Sequence, residues 1–205
     1  MSTPALRNIF AQNENKVDFE EIMNTNKILL INLSKGKLGE ENASFFGSVF
    51  ATKLKQAGMR RAAMPERDRK DFYLYVDEFH NLVTATFLNF FSEARKYGLA
   101  LTVSHQYTSQ LLPAVHATVL GNVANIITFR VGGEDAIKLE AEMTPVFKAR
   151  DMVNLGMREF YIKETIDGET YDPFSAETLQ VLPPPYQSSK DKIIEQSRKK
   201  YATPL

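Results

Sequence analysis

Apolar positions along the chain fall into two alternating periods. Ile28 to Leu33 (ILLINL) is a continuous apolar run with polar borders, the pattern of a strand buried on both faces. SKGKLGEENAS follows as a loop. From Phe45 to Gln56 the period changes: Phe45, Phe46, Val49, Phe50 and Leu54 share one face of a helix, and Gly58 is its expected stop. Arg60 to Asp71 (RRAAMPERDRKD) is charged, holds a proline and has no period, so it reads as an exposed connection. FYLYVDEF, Phe72 to Phe79, reads as the second strand. Thr86 to Tyr97 reads as a helix burying Phe87, Leu88, Phe90, Phe91 and Ala94, with Gly98 at its end. Leu99 to Ser104 (LALTVS) reads as the third strand.

Pro113 to Asn125 opens with a helical piece, Ile126 to Val131 (IITFRV) reads as a fourth strand, and Gly132-Gly133 turn the chain into a short helix over Glu134 to Glu142. Glu159 to Ile166 and a partner after Asp167-Gly168 read as a hairpin, because Asp-Gly suits a tight primed turn. Pro183, Pro184 and Pro185 end the domain, and KDKIIEQSRKKY is a charged helix with little to bury. Strands separated by helices of this length imply βαβ units and a mostly parallel sheet. Three segments result: a lead-in over 1–27, an α/β body over 28–182, and a proline-rich linker with a charged tail over 183–205.

Composition narrows the classes. The 205 residues are 43% hydrophobic and 24% charged, those of an ordinary soluble domain with a real core. The 25 basic and 25 acidic residues balance, so a nucleic-acid surface has to come from local patches. Cysteine is absent, which removes disulfides, thiolate chemistry and cysteine-based zinc sites. No apolar run reaches the roughly 18 residues of a membrane span, and the polar N-terminus lacks a signal-peptide centre. A cytoplasmic chain without membrane contact is expected.

In open α/β sheets ligands sit beyond the carboxyl ends of the strands. The second strand ends there in Asp77-Glu78. Hydrolysis of a nucleoside triphosphate needs such a pair, one acid holding magnesium through its water and the other taking the proton of the attacking water. Asp77 is assigned to magnesium and Glu78 to the water. The same two acids also suit a strand running into an acidic turn. The third strand ends in Ser104-His105-Gln106, where Gln106, whose amide can both donate and accept, suits a sensor of the γ-phosphate. Arg95 and Lys96 close the intervening helix. They complement its dipole, and a planar arginine there also suits a finger on a neighbouring subunit's nucleotide. His80, His105 and His116 lack zinc spacing, and Ser104 beside His105 has no GxSxG elbow.

One part is missing. A phosphate-binding loop reads GxxxxGK followed by Ser or Thr. The only Gly-Lys pair is Gly36-Lys37, with Leu38 after it and Ile31 where the earlier glycine belongs.

Taken together, LLINLSKGKLGEENASFFGSVFATKL, FYLYVDEFHNL, FLNFFSEARKYGLALTVSHQYTSQL, LGNVANIITFRVGGEDA and EFYIKETIDGETYDPFSAETL resemble consecutive blocks of the FtsK–HerA superfamily. The branch they look most like is the TraG-like conjugative coupling and type IV secretion DNA-transfer ATPases. The resemblance runs from about Ile28 to Leu182. ARKYGLALTVSHQ is its most specific block; the Walker B strand is generic. It implies the C-terminal part of a RecA-like P-loop NTPase fold, binding of ATP and Mg2+, assembly as a homo-hexamer, and ATP-driven movement of DNA. Secretion-system or relaxosome proteins are its implied partners, with the complete protein at the inner face of the cell membrane. By motif position it places Walker B on Asp77 and Glu78, the sensor on Gln106 and the inter-subunit arginine on Arg95, with Arg130 of TFRVGG as a weaker candidate. The departure is the absent Walker A half, so this chain alone is expected to be inactive. Two other readings stand beside it: a non-catalytic binding or assembly module that keeps the fold, and a DExH-like helicase piece suggested by Asp77-Glu78-Phe79-His80.

Overall fold

In the computed structural model, residues 14–83, 85–183 and 188–202 are described. The segment 1–13, Pro184, Pro185 and the last three residues, all within the expected lead-in, linker and tail, lie outside them. The chain divides into two compact units, Met1–Ser104 with Pro183–Leu205, and His105–Leu182.

The first unit is built on a parallel strand pair, β1 (Phe72–Val76) and β2 (Leu99–Val103), in register from Phe72 opposite Leu99 to Val76 opposite Val103. Strand β1 alternates as a one-side-covered strand must. Phe72, Leu74 and Val76 are half-buried, while Tyr73 and Tyr75 are exposed. Three helices cover the inner face. Helix α1 (Phe19–Asn24) starts at Asp18, whose carboxylate accepts from the amides of Glu20 and Glu21 at 2.9 and 3.0 Å. After the single turn α2 (Lys35–Leu38) comes the 21-residue α3 (Glu40–Arg60). Helix α4 (Ala85–Glu93) continues as a 3-10 turn over Ala94–Tyr97 and completes the crossover from β1 to β2. Phe19, Met23, Leu54, Ala57, Phe90, Ala94 and Leu99 form the core between helices and strands.

The lead-in therefore contains a packed helix that no long apolar period announced. Six residues carry only Phe19, Ile22 and Met23 inward. The expected strand over 28–33 differs as well. Ile28 to Leu33 has no ladder partner among the described residues and only alternates, with Leu29, Ile31 and Leu33 half-buried and Ile28 and Leu30 exposed. A strand buried on both faces needs cover on both sides, and the described part of this unit covers one. Between this segment, α3 and β1 lies an apolar cleft of about 990 Å³.

In the second unit, β3 (Ile126–Thr128), β4 (Glu159–Lys163) and β7 (Phe174–Glu177) form an antiparallel sheet in the order β3-β4-β7. The Asp-Gly hairpin forms as expected. Asp167 and Gly168 have φ of 51° and 86°, joining β5 (Thr165–Ile166) to β6 (Glu169–Thr170). Helix α5 (Pro113–Asn122) opens with proline at its first position. Helices α6 (Gly133–Met143) and α7 (Ala149–Val153) bury Ala136, Met143 and Met152, and Tyr161 stacks on Phe147 with ring centres 3.6 Å apart. Helix α8 (Lys190–Tyr201), assigned to the first unit, buries none of its residues, in keeping with its charge. No helix among the described residues is long and apolar enough to cross a membrane.

Candidate functional site

Parallel pairing puts the carboxyl ends of β1 and β2 side by side, and two backbone bonds extend the pairing past the strands. The Ser104 amide donates to the Val76 carbonyl at 3.0 Å, and the Phe79 amide to the Ser104 carbonyl at 3.0 Å. Asp77 and Ser104 thus face each other. The Ser104 hydroxyl donates to Oδ1 of Asp77 at 2.5 Å, and the Glu78 amide donates to the same oxygen at 3.0 Å. Two donors on one oxygen fix the carboxylate and leave Oδ2 to a ligand. Hydrated magnesium needs little more from a protein than one or two carboxylates, because its remaining ligands are waters and phosphate oxygens. The donor set fits such an ion held through water. No group of three or more His, Asp or Glu with metal-binding geometry occurs among the described residues.

Glu78 has φ 50° and ψ 43°, the left-handed region that non-glycine residues seldom occupy. Its neighbours enforce that conformation. Phe79 is fully buried, 6.4 Å from Phe87 and 6.2 Å from Phe91 between ring centres. The Asn81 side-chain amide donates to the Glu78 carbonyl at 3.1 Å, and the Ser44 hydroxyl of α3 donates to the Asn81 carbonyl at 2.7 Å. The chain turns sharply straight after the two acids because the next side chain must enter the core.

The apolar cleft reaches this edge. Asn32, Ser34 and Lys35 share its lining with Asp77 and Glu78. Lys35 pairs with Glu40 at 2.9 Å. The Gly36-Lys37 pair lies in the four-residue helix α2, not in an open loop of amides, so it is no phosphate cradle.

Arg95 lies at the other end of β2. It is exposed in the 3-10 turn Ala94–Tyr97, just before the strand begins. Five residues of strand separate that turn from Ser104, about 16 Å at the usual rise. Within this unit Arg95 therefore belongs to the edge opposite Asp77. The chain passes after Ser104 into the second unit, which contains both Gln106 and Arg130. There the Gln110 side-chain oxygen accepts from the amides of Gln106 and Tyr107 at 3.2 and 3.1 Å. Buried Asp135 accepts from the Thr108 amide at 3.2 Å and from its hydroxyl, which anchors the loop on α6. Arg130 is exposed in the bend after β3 and makes no ion pair with a described residue. The structure thus brings together Asp77, Glu78 and Ser104. The last was visible in the sequence only as the polar end of an apolar strand.

The same architecture occurs in a viral enzyme. The genome packaging NTPase B204 from Sulfolobus turreted icosahedral virus 2, in complex with AMPPCP, superposes with a TM-score of 0.53 at 16% identity, over 80% of this chain and 73% of that one. Its complex with ATP-gammaS gives 0.52 at 14%, over 82% and 74%. No protein-family model matches the chain, and no curated protein matches it. At such identity the likeness establishes the fold: this is a partial RecA-like α/β fold of the P-loop NTPase type, with helices packed on a parallel sheet.

Proposed function

We propose that the chain is the C-terminal, catalytic part of an ATP-hydrolysing DNA translocase of the FtsK–HerA superfamily. Asp77 holds Mg2+ through water, and Glu78 takes the proton of the attacking water. Gln106 senses the γ-phosphate, and Arg95 reaches the nucleotide of a neighbouring subunit in a homo-hexamer. Arg130 is a weaker candidate for the same charge. Residues 28–182 are the motor segment, 1–27 lead into it, and 183–205 are a linker and tail. The observation that carries this reading is the Asp77 carboxylate, fixed by Ser104 and the Glu78 amide at the carboxyl edge of a parallel pair. The fold is shared with an NTPase described as genome packaging and bound to ATP analogues. Arg95, at the opposite strand edge, suits action on another subunit and not on its own.

The sequence blocks favour the TraG-like conjugative or type IV secretion branch, with DNA as cargo and secretion-system or relaxosome proteins as partners, at the inner face of the membrane. The discriminating experiment starts upstream of the Met1 codon. An in-frame GxxxxGK followed by Ser or Thr is expected there, and the product of the joined frame should hydrolyse ATP faster when DNA is added. If that product binds nucleotide but ignores DNA, the translocase reading fails and the assembly-module reading replaces it.

A further inference from the structure

The turn after the two acids holds a histidine that the scheme above leaves unused. His80 lies in the 3-10 turn Phe79–Asn81, and its side chain is 12% exposed. Its Nε2 is 3.9 Å from Oε2 of Glu78. Its Nδ1 is buried and has no hydrogen-bond partner among the described residues. Together these facts select a protonation pattern. Neutral imidazole donates from one nitrogen and accepts at the other, whereas imidazolium donates from both. A proton on Nδ1 would be an orphaned buried N–H, the rarest kind of unsatisfied polar group. A proton on Nε2 faces a carboxylate.

Another acid lies near the ring. Glu40, in the first turn of α3, is held below the usual carboxylate range by its hydrogen bond and charge pairing with Lys35. Glu40 is thus already matched to a cation, and Glu78 is the acid with which Nε2 pairs.

We propose that His80 is a positioning residue for Glu78, a neutral Nε2–H donor that holds the carboxylate toward the attacking water. A neutral donor orients the acid without cancelling the charge that a base needs. The separation is about 1 Å longer than a hydrogen bond, and such contacts commonly tighten only when the reacting complex forms. The Glu78 backbone is already fixed by its left-handed conformation and by Asn81. A side-chain adjustment is all that remains. The role given to Glu78 rests on the functional reading above; the pairing does not.

The test uses the full chain, 15N-labelled, at about pH 8, where an ordinary imidazole is neutral. There are three histidines, and His80→Gln identifies the His80 signals by their loss. The ring nitrogens of His80 should report the Nε2–H tautomer. Glu78→Gln, whose amide oxygen still accepts, should preserve it. Glu78→Ala should shift it toward a mixture. An Nδ1–H tautomer in the unmodified chain, or His80 signals indifferent to Glu78→Ala, overturns the proposal. In an ATP-hydrolysing form, His80→Gln places an amide N–H near the Nε2 position and should keep kcat within about 3-fold. His80→Phe should lower kcat about tenfold at unchanged KM, the scale of one hydrogen bond to a charged group. Equal kcat in the two variants also overturns the proposal. Full turnover by Glu78→Gln with the tautomer intact would instead remove the functional reading and leave the pairing standing.

Discussion

At the scale of single residues, the hydrogen bonds of Asp77 differ from those of an ordinary acidic turn in where they come from. An acidic residue capping a turn spends its oxygens on backbone amides of the following residues. Asp77 receives one such amide, from Glu78, but also a hydroxyl from a neighbouring strand 27 residues away. Both bonds converge on Oδ1, as they should if the other oxygen serves a ligand. Glu78→Gln separates binding from chemistry. The amide keeps the size of the side chain but takes no proton, so an ATP-hydrolysing form of the protein should bind nucleotide as before and lose roughly 100-fold or more in turnover, the scale of a lost general base. Turnover within a few-fold of the unmodified protein would move the base to Asp77 or another acid.

At the scale of elements, the turn that presents Arg95 is held from behind by two other arginines. Arg61 is fully buried, with five acceptors: the Asn24 side chain at 3.0 Å and the carbonyls of Met23, Lys70, Tyr97 and Gly98 at 3.4, 2.5, 2.9 and 3.3 Å. Burial pushes its pKa below the usual guanidinium value, yet arginine stays protonated in proteins. Half-buried Arg69 donates to the Lys96 carbonyl at 2.6 Å and to Met64. The carbonyls at a helix C-terminus lack intrahelical donors, and here guanidinium groups supply them. Gly98, with φ of 67°, lets the chain turn beneath Arg61. Arg61→Met keeps the bulk and strands these acceptors. It should cost at least about 2 kcal/mol in urea unfolding, the penalty of one or two unsatisfied buried groups; a loss below about 0.5 kcal/mol would show that water replaces the guanidinium.

This clamp also marks a limit of the sequence. RRAAMPERDRKD looks like a solvated connection because arginine is seldom buried, and nothing local separates Arg61 from Arg60. The regular elements were legible for the opposite reason. FYLYV, LALTV and most of the inner faces of α3 and α4 repeat over enough residues for their period to emerge, although Phe45, expected on the inner face of α3, is exposed. ILLINL misleads because a continuous apolar run fixes neither its pairing nor which faces are covered. The position of Asp77 and Glu78 at a strand end was legible. His80 was not, since its interest lies in one buried nitrogen without a partner among the described residues and one facing an acid. The antiparallel β4–β7 pairing joins segments separated by a hairpin, and short strands such as Phe174–Glu177 carry little period of their own.

At the scale of the whole molecule, the described residues offer carboxylates at the strand edge but no glycine loop of amides. The chain by itself should bind Mg·ATP no better than about millimolar, because the groups that hold the phosphates are missing. Calorimetry with magnesium present decides this, and micromolar binding would reveal a cradle elsewhere. The basic run from Lys53 to Lys70 poses the corresponding question for DNA. Its arginines are not equivalent. Arg61 and Arg69 serve the interior, whereas the side chains of Arg60 and Arg67 are 71% and 87% exposed. Their pairs, with Glu20 at 3.7 Å and Asp68 at 3.8 Å, are surface ion pairs of the weakest kind and do not hold these side chains back from a phosphate. Replacing all four arginines together would confuse unfolding with lost contacts. Arg60→Ala with Arg67→Ala should leave the melting temperature within about 2 °C, since exposed substitutions are nearly neutral. If this surface meets DNA in the assembly proposed above, the double variant should weaken binding to any duplex alike and flatten the dependence of log affinity on log salt by up to about two units, roughly one per lost phosphate contact. An unchanged slope at unchanged stability would assign the exposed charges to solvation or to packing between subunits, and a lower melting temperature in Arg69→Ala alone would confirm that the inner pair belongs to the fold.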